Sequence, residues 1–446
     1  VKQNAPHILF INPWIHDFAA YDFWAKPMGL LILAAILRAH GVSVSYIDCL
    51  DRFHPRARKG DPAARYGRGP YLKTEIPKPL MIPDVPRKFS RYGIKPEWFK
   101  ESLSTVSRPD FICLTSMMTY WYPGVQETIS HIRDIYPETP IVLGGIYASL
   151  CKDHALSESG ADRIVTGPGE TAILDLVSEM TGFSVSPRFA PDRLDTYPYP
   201  AFDLQNRIAY APLMTSRGCP FSCAYCASRF LSPRRMLRTS ESVLEEVLFW
   251  HKSHGVIDFA LYDDAFLVDA ERHAVPILED IIKSGMRLRF HTPNALHIRS
   301  VTRDTAQLMF KAGFTSLRLG LETIEFSERS EIDRKVTAEE FRSAVSHLKD
   351  AGFKKDQVGA YLLAGLPGQS MQTLKKSVQI VKQSGITPIP AYYSPIPHTD
   401  LWEKALSASR YDLSADPVFT NNAIMPCRKE PFSWESISAL KELVRF

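Results

Sequence analysis

Along this chain, short apolar runs punctuated by glycine or proline alternate with helix-length amphipathic segments, twice over, with a proline-rich break between the two series. That alternation restricts the fold more than any other feature, because parallel strands need a crossover long enough to hold a helix. In the first series, His7–Pro13, Val42–Asp48, Asp110–Ser116, Pro140–Gly145 and Asp162–Gly167 read as strands. Met28–His40, Val125–Tyr136 and Glu170–Thr181 read as helices, with Gly41 as the C-cap of the first. The expectation is an α/β domain over residues 1–182, a doubly wound parallel sheet of Rossmann-like type. In such sheets ligands bind beyond the carboxyl ends of the strands. That places Asn12, Ser116, Thr119, Gly144, Gly145, Gly167 and Gly169 on the candidate ligand face. Residues 51–109 interrupt the alternation and read as a long loop, basic at its start through Arg52, Arg56, Arg58, Lys59, Arg65 and Arg68.

Residues 183–212 are rich in proline and read as a linker. A second series then begins, with strands at Leu213–Ser216, Phe259–Tyr262, Arg287–Phe290, Ser316–Gly320, Val358–Leu363 and Thr387–Tyr393. Helices between them suit an open, partial (β/α)6 barrel over 213–400, in which functional residues collect at the carboxyl ends of the strands. Those ends carry Asp263 and Asp264, then Asn294, then Arg318 and Glu322, then the turn Gly365-Leu-Pro-Gly-Gln369 with Pro367 at its centre. Beyond it, 401–446 is expected to be a short helical segment, with helices at 401–407 and 434–444.

The chemistry is concentrated in Cys219, Cys223 and Cys226, a C-x3-C-x2-C triplet in the string Arg217-Gly-Cys-Pro-Phe-Ser-Cys-Ala-Tyr-Cys. Three thiolates this close can hold three irons of a cubane cluster and leave the fourth iron open, whereas iron–sulfur clusters ordinarily take four. Structural zinc, the usual competitor, needs four closed ligands, and no further C-x2-C or H-x3-H pair lies nearby. Seven cysteines, three of them crowded together, suit a metal site in a reducing compartment better than a disulfide framework. No apolar run reaches the ~20 residues of a membrane span. The expected location is therefore the cytoplasm. The net charge of +4 over 446 residues carries no nucleic-acid signature.

The triplet, with Tyr225 just before its last cysteine, resembles the signature of the radical S-adenosylmethionine (SAM) enzymes. The resemblance implies a 4Fe-4S cluster whose open iron chelates SAM, and an electron donor such as flavodoxin or ferredoxin. It also implies that Asp263 and Asp264 meet the SAM ammonium, Arg318 its carboxylate, Glu322 its ribose and Gly365–Pro367 its adenine, with Asn294 and Tyr225 beside them. The first half resembles the cobalamin-binding domain found ahead of many such enzymes. The matching pieces are Lys26-Pro-Met-Gly-Leu-Leu-Ile-Leu-Ala, Leu143-Gly-Gly-Ile-Tyr-Ala-Ser149 and Asp162-Arg-Ile-Val-Thr-Gly-Pro-Gly-Glu170. The D-x-H-x-x-G string that supplies an axial histidine in many cobalamin proteins is absent, and His54 stands outside any such pattern. Tyr120 and Trp121 are then the candidates for a wall against the corrin. The combination implies a cobalamin-dependent methyltransferase acting on an unactivated carbon. The alternatives are a radical cyclase, rearrangement or coupling enzyme, a methylthiotransferase using Cys49, Cys113 and Cys151, and a non-catalytic cobalamin or redox sensor. No catalytic residue beyond the cofactor ligands, and no substrate, is assigned.

Overall fold

The computed structural model describes residues 5–57, 60–325, 333, 336–427, 439–440 and 442–444. The chain divides into two compact units, residues 1–209 with 415–419, and residues 210–414 with 420–446.

The first unit runs β1 (His7–Asn12), β2 (Ile15–Asp17), α1 (Met28–Ala39), β3 (Ser43–Asp48), β4 (Lys73–Ile76), β5 (Phe89–Tyr92) and α2 (Pro96–Thr105). It continues through β6 (Phe111–Leu114), α3 (Tyr122–Ile135), β7 (Ile141–Leu143), α4 (Ile146–Leu150), α5 (Lys152–Glu158), β8 (Arg163–Ile164) and α6 (Ala172–Thr181). Five strands form one parallel sheet in the order β3-β1-β6-β7-β8. This is the doubly wound order in which the first strand lies inside the sheet, between β3 and β6, and the chain winds outward from it both ways. Ile8 to Ile11 of β1 are fully buried, as a strand covered on both faces requires.

Residues 51–109 depart from the loop expected there. They contain β4, β5 and α2, and β2, β5 and β4 form a separate antiparallel sheet. The sequence hides this because Phe89-Ser-Arg-Tyr92 is short, and its partner Lys73-Thr-Glu-Ile76 is almost wholly exposed, so neither strand has a clear apolar period. Arg58 and Lys59 lie outside the described residues. Most of the segment expected as a linker packs with the first unit, where Ala201 N donates to Leu31 O (3.0 Å). Residues 415–419 belong there too, since the Tyr122 hydroxyl donates to the Asp416 carboxylate (2.8 Å).

The second unit contains β9 (Ala211–Leu213), β10 (Ser216–Arg217), α7 (Ser228–Leu231), β11 (Met236–Leu237), α8 (Ser240–His254), β12 (Asp258–Leu261), α9 (Ala274–Lys283) and β13 (Arg289–His291). After these come α10 (Arg303–Lys311), β14 (Phe314–Glu322), α11 (Ala338–Ala351), β15 (Val358–Ala364), α12 (Met371–Gln383), β16 (Thr387–Tyr392) and α13 (Trp402–Ala408). Six strands pair in parallel in the order β16-β15-β14-β13-β12-β9, the reverse of chain order, as a run of right-handed β-α units produces. The helices start and stop on local signals: Thr337 and Glu340 form a capping box at α11, and Gly352 ends it at φ +110. Both edge strands carry proline: Pro212 in β9, and Pro388 with Pro390 in β16. Proline has no N–H to offer a further strand, so these edges resist pairing and the sheet stays open.

The first barrel strand differs from the reading. It starts earlier, at Ala211, and Ser216-Arg217 leave the sheet to pair antiparallel with Met236-Leu237. Of the C-terminal segment, α13 is present, while the helix read over 434–444 lies largely outside the described residues. Among the described residues no helix is long and apolar enough to cross a membrane.

Candidate functional site

Beyond β9 the chain turns through β10 into the cysteine loop. Gly218 makes that turn at φ +85, and a Cβ there would stand 2.6 Å from Arg234 O, so no other residue fits without displacing the loop. Cys223 is buried, and Cys219 and Cys226 are half-buried. Cys226 N donates to Cys223 O (3.0 Å), which curls the loop around its thiols. Ser228 N–H donates to Cys226 Sγ (3.4 Å), whose thiol in turn faces the Ser228 hydroxyl oxygen (3.3 Å), and His297 Nε2 lies 3.8 Å from Cys219 Sγ. None of the three is in a disulfide. Among the described residues, no three His, Cys, Asp or Glu side chains converge on a point where one metal ion could sit. Three thiols on one short loop are a donor set that a cubane, which takes each thiolate at a separate iron, can use.

The two members of the acidic pair have different surroundings. Asp263, 3 % exposed, accepts hydrogen bonds from Thr215 N (3.1 Å), Thr215 Oγ1 (2.6 Å) and Ser216 Oγ (2.6 Å), with His273 Nε2 4.0 Å away. It joins the end of β12 to the residues entering the cysteine loop. Asp264 is part-exposed and takes hydrogen bonds from Gly218 N and Ser228. Burial pushes its carboxyl above the usual carboxylate range against those bonds, and Asp263 adds to the rise. A half-buried carboxyl with a raised pKa at the lip of the loop is poised to accept a cation.

Of the other residues expected at strand ends, Asn294, Glu322 and Gly365 are found there, whereas Arg318 lies in the middle of β14, paired with Gly359 at the start of β15. Asn294 Nδ2 donates to Tyr262 O (3.0 Å) and Asp263 O (3.3 Å), closing the end of β12. Glu322 is buried yet holds φ +61, at a register shift where β14 meets β15. A non-glycine residue kept in that region is a strain of order 1–3 kcal/mol, and such strain collects at ligand sites. Tyr225 lies near it, its phenol pushed well up by burial and then by the Glu322 charge. Arg318 Nη1 donates to Leu317 O (2.8 Å). Gly365 is at φ +94, and Gln369 closes its turn by accepting from Gly365 N (2.8 Å) and donating to Leu363 O (2.8 Å).

The arginines after the triplet divide in the same manner. Arg229 and Arg234 are exposed, while Arg235 reaches Asp269 (3.6 Å) and the Val268 carbonyl. Arg238 is an internal fastener, paired with the buried Glu246 of α8 and bonded to Ser242 O (2.9 Å). His398 holds φ +66 and stacks flat on Phe230, ring centroids 4.2 Å apart.

In the first unit, a slot of about 160 Å³ opens at the carboxyl ends of β6 and β7, against α1 and α6. Gly29, Gly144, Gly145, Gly167 and Gly169 line it beside Leu30, Leu33 and Ile173, and no histidine does among the described residues. Asn12, Ser116, Thr119, Tyr120 and Trp121 are not among its lining residues. Asn12 is buried and donates to Asp48 (2.7 Å), tying β1 to β3. Ser116 donates to Gly144 O (2.8 Å), and Thr119 and Tyr120 are buried. Trp121 packs on Ile15, Leu50, Tyr71 and Tyr92, and its indole N–H donates to Asp17 (2.7 Å). His54 stacks on Trp98, away from the slot. Cys49, Cys113 and Cys151 form no common metal site among the described residues, and burial pushes the Cys151 thiol up to about 12.

Gly145 sits at φ +97 and ψ −165, where a Cβ would lie 2.4 Å from Ser116 O. Gly145→Ala is expected to lower stability by at least the ~1–3 kcal/mol of that backbone strain. Gly167→Ala, at φ +73 with open space around it, costs only about 1–2 kcal/mol. Urea unfolding of the two variants measures the difference, and equal midpoints would contradict the close approach at Ser116.

Comparison with known proteins agrees with both halves. Residues 213–381 match the Radical SAM superfamily, and residues 99–177 match the B12 binding domain. The chain is 24% identical over 328 residues to an uncharacterized methyltransferase, PH0819, of Pyrococcus horikoshii, covering 67% of this chain and 70% of the relative. It is 23% identical over 343 residues to the anaerobic magnesium-protoporphyrin IX monomethyl ester cyclase of Rubrivivax gelatinosus, covering 68% and 60%. Among solved structures, the radical S-adenosylmethionine methyltransferase TsrM of Kitasatospora setae, with cobalamin and a 4Fe-4S cluster bound, superposes with TM-score 0.67 at 16% identity. That match covers 92% of this chain and 76% of the other. The cobalamin-dependent S-adenosylmethionine radical enzyme OxsB gives TM-score 0.60 at 14% identity over 94% of this chain and 57% of its own.

Proposed function

We propose, from the premise that this chain carries a radical SAM domain preceded by a B12-binding domain, that it is a cobalamin-dependent radical SAM methyltransferase acting on an unactivated carbon. The carrying observation is the three-thiolate loop at the carboxyl ends of the open barrel, in a chain whose other half matches the B12 binding domain. Cys219, Cys223 and Cys226 would hold three irons of a 4Fe-4S cluster. When bound, the cluster supplies the electron that cleaves the SAM sulfonium, and cobalamin carries the methyl group. Asp264 would accept hydrogen bonds from the SAM ammonium, whose charge offsets the desolvation that raises its pKa. Asp263 would hold the loop in place. Glu322 would face the ribose, and the Gly365 turn would present backbone to the adenine. The glycine-lined slot would take a slender arm of cobalamin, its missing side chains letting the backbone approach. Exposed Arg229 and Arg234 beside the loop suit an acidic electron donor of flavodoxin or ferredoxin type. An oxygen-sensitive cluster and cysteines outside any disulfide suit the reducing cytoplasm.

Anaerobic reconstitution tests the reading. The expected protein carries about four irons per chain, retains cobalamin, and with a strong reductant converts SAM to 5′-deoxyadenosine. Substrate methylation adds S-adenosylhomocysteine to the products. The likeness to the cyclase of Rubrivivax gelatinosus favours one second reading, radical cyclisation. Deoxyadenosine formed with substrate but without S-adenosylhomocysteine would select it. Bound cobalamin without any SAM cleavage would leave a sensor.

A further inference from the structure

His297 comes from outside the cysteine loop and reaches into it. The segment after β13 is pinned to β14 by two backbone hydrogen bonds, Leu296 N to Arg318 O (2.7 Å) and Gly320 N to Leu296 O (3.1 Å). The position of the next residue is therefore set by the barrel and not by the loop. Its ring leans on Phe221, inside the triplet string, with centroids 4.5 Å apart at 53°. That contact aims Nε2 at Cys219 Sγ, 3.8 Å away, within reach of a hydrogen bond to sulfur.

We propose that His297 is a positioning residue that donates its Nε2–H to the Cys219 thiolate and raises the reduction potential of the cluster held there. The inference rests on the cluster reading given above. Hydrogen bonds to ligand sulfurs are among the levers that set such potentials, because the reduced cluster carries one more negative charge for the donor to stabilise. The geometry is asymmetric: Cys226 accepts from the backbone N–H of Ser228, two residues along the same loop, while the nitrogen that faces Cys219 comes from the barrel wall. The potential is thereby coupled to the seating of the loop against β13 and β14.

The experiment is a redox titration of the reconstituted full chain without SAM, followed by the electron paramagnetic resonance signal of the reduced cluster. His297→Phe keeps a ring against Phe221 and removes the donor. Its iron content should match that of the unsubstituted protein. At a fixed applied potential its ratio of reduced to oxidised cluster should fall about tenfold, which is 59 mV for one electron. His297→Gln places an amide N–H near the position of Nε2 and should recover at least half of the shift. An unmoved midpoint in His297→Phe, or an equal shift in His297→Gln, overturns the proposal while leaving the cluster intact. Failure of the unsubstituted chain to assemble a cluster overturns the proposal together with the reading beneath it.

Discussion

Cys223→Ala is expected to abolish both iron binding and SAM cleavage. Iron should fall from about four per chain to background, since two thiolates cannot hold a cubane that ordinarily takes four ligands. Deoxyadenosine formation should then become undetectable. Cys223 is buried within its loop, so the fold itself loses little more than one small buried side chain. Cys427→Ala is the control: this thiol is buried, raised to about 12 by that burial, and belongs to no cysteine cluster in the sequence. It should keep full iron and full activity. Iron analysis and product chromatography on the two variants check the pair. Retention of iron by Cys223→Ala would remove the cluster from this loop.

Asp263→Ala is expected to cost stability more than any other strand-end substitution, and Asp264→Ala to cost SAM affinity instead. The Asp263 carboxylate accepts from three buried donors, Thr215 N, Thr215 Oγ1 and Ser216 Oγ. Thr215 Oγ1 keeps His273 Nε2 (2.8 Å) as a partner, and leaving each of the other two buried donors unpaired costs about 1–3 kcal/mol, so a loss of about 2 kcal/mol or more is expected in denaturant unfolding. The residues that lead into the cysteine loop lose their anchor at the same time. Asp264 has a more open position and accepts from Gly218 N and Ser228, so its removal should lower the unfolding midpoint less than Asp263→Ala does. Losing a charge-assisted hydrogen bond of about 1.5–3 kcal/mol should weaken SAM binding about tenfold to a hundredfold. Equilibrium binding and urea unfolding of both variants separate the roles. Equal stability losses would assign both carboxylates to structure.

The contrast between these neighbours shows where reading from sequence stops. Asp263 and Asp264 are one residue apart and chemically identical, so periodicity and motif treat them as a pair. Only folding shows that one is enclosed by Thr215 and Ser216 while the other keeps an open side beside Gly218. The aromatics after β6 present the same difficulty. Tyr120 and Trp121 read alike in the sequence, yet Tyr120 is buried while Trp121 stays half-buried against Ile15, Leu50, Tyr71 and Tyr92, residues far apart in the chain. The glycines were easier to read: Gly144, Gly145, Gly167 and Gly169 stand after strands and line the slot. His297 was invisible, because nothing in its neighbours' spacing records a sulfur 78 residues earlier in the chain.

Most of the succession of parallel strands and crossover helices outside residues 51–109, and with it the two parallel sheets and the thiolate triplet, follows from the sequence by itself. Each is set by local pattern: apolar runs of strand length, caps and glycines at helix ends, and cysteines within one short loop. Tertiary structure alone decided which carboxylate is spent on the fold, which aromatics are core, and which imidazole meets the cysteine loop. Those outcomes depend on which distant groups exclude water from a side chain. That exclusion, and the hydrogen bonds it makes obligatory, exists only once the strands have been brought side by side.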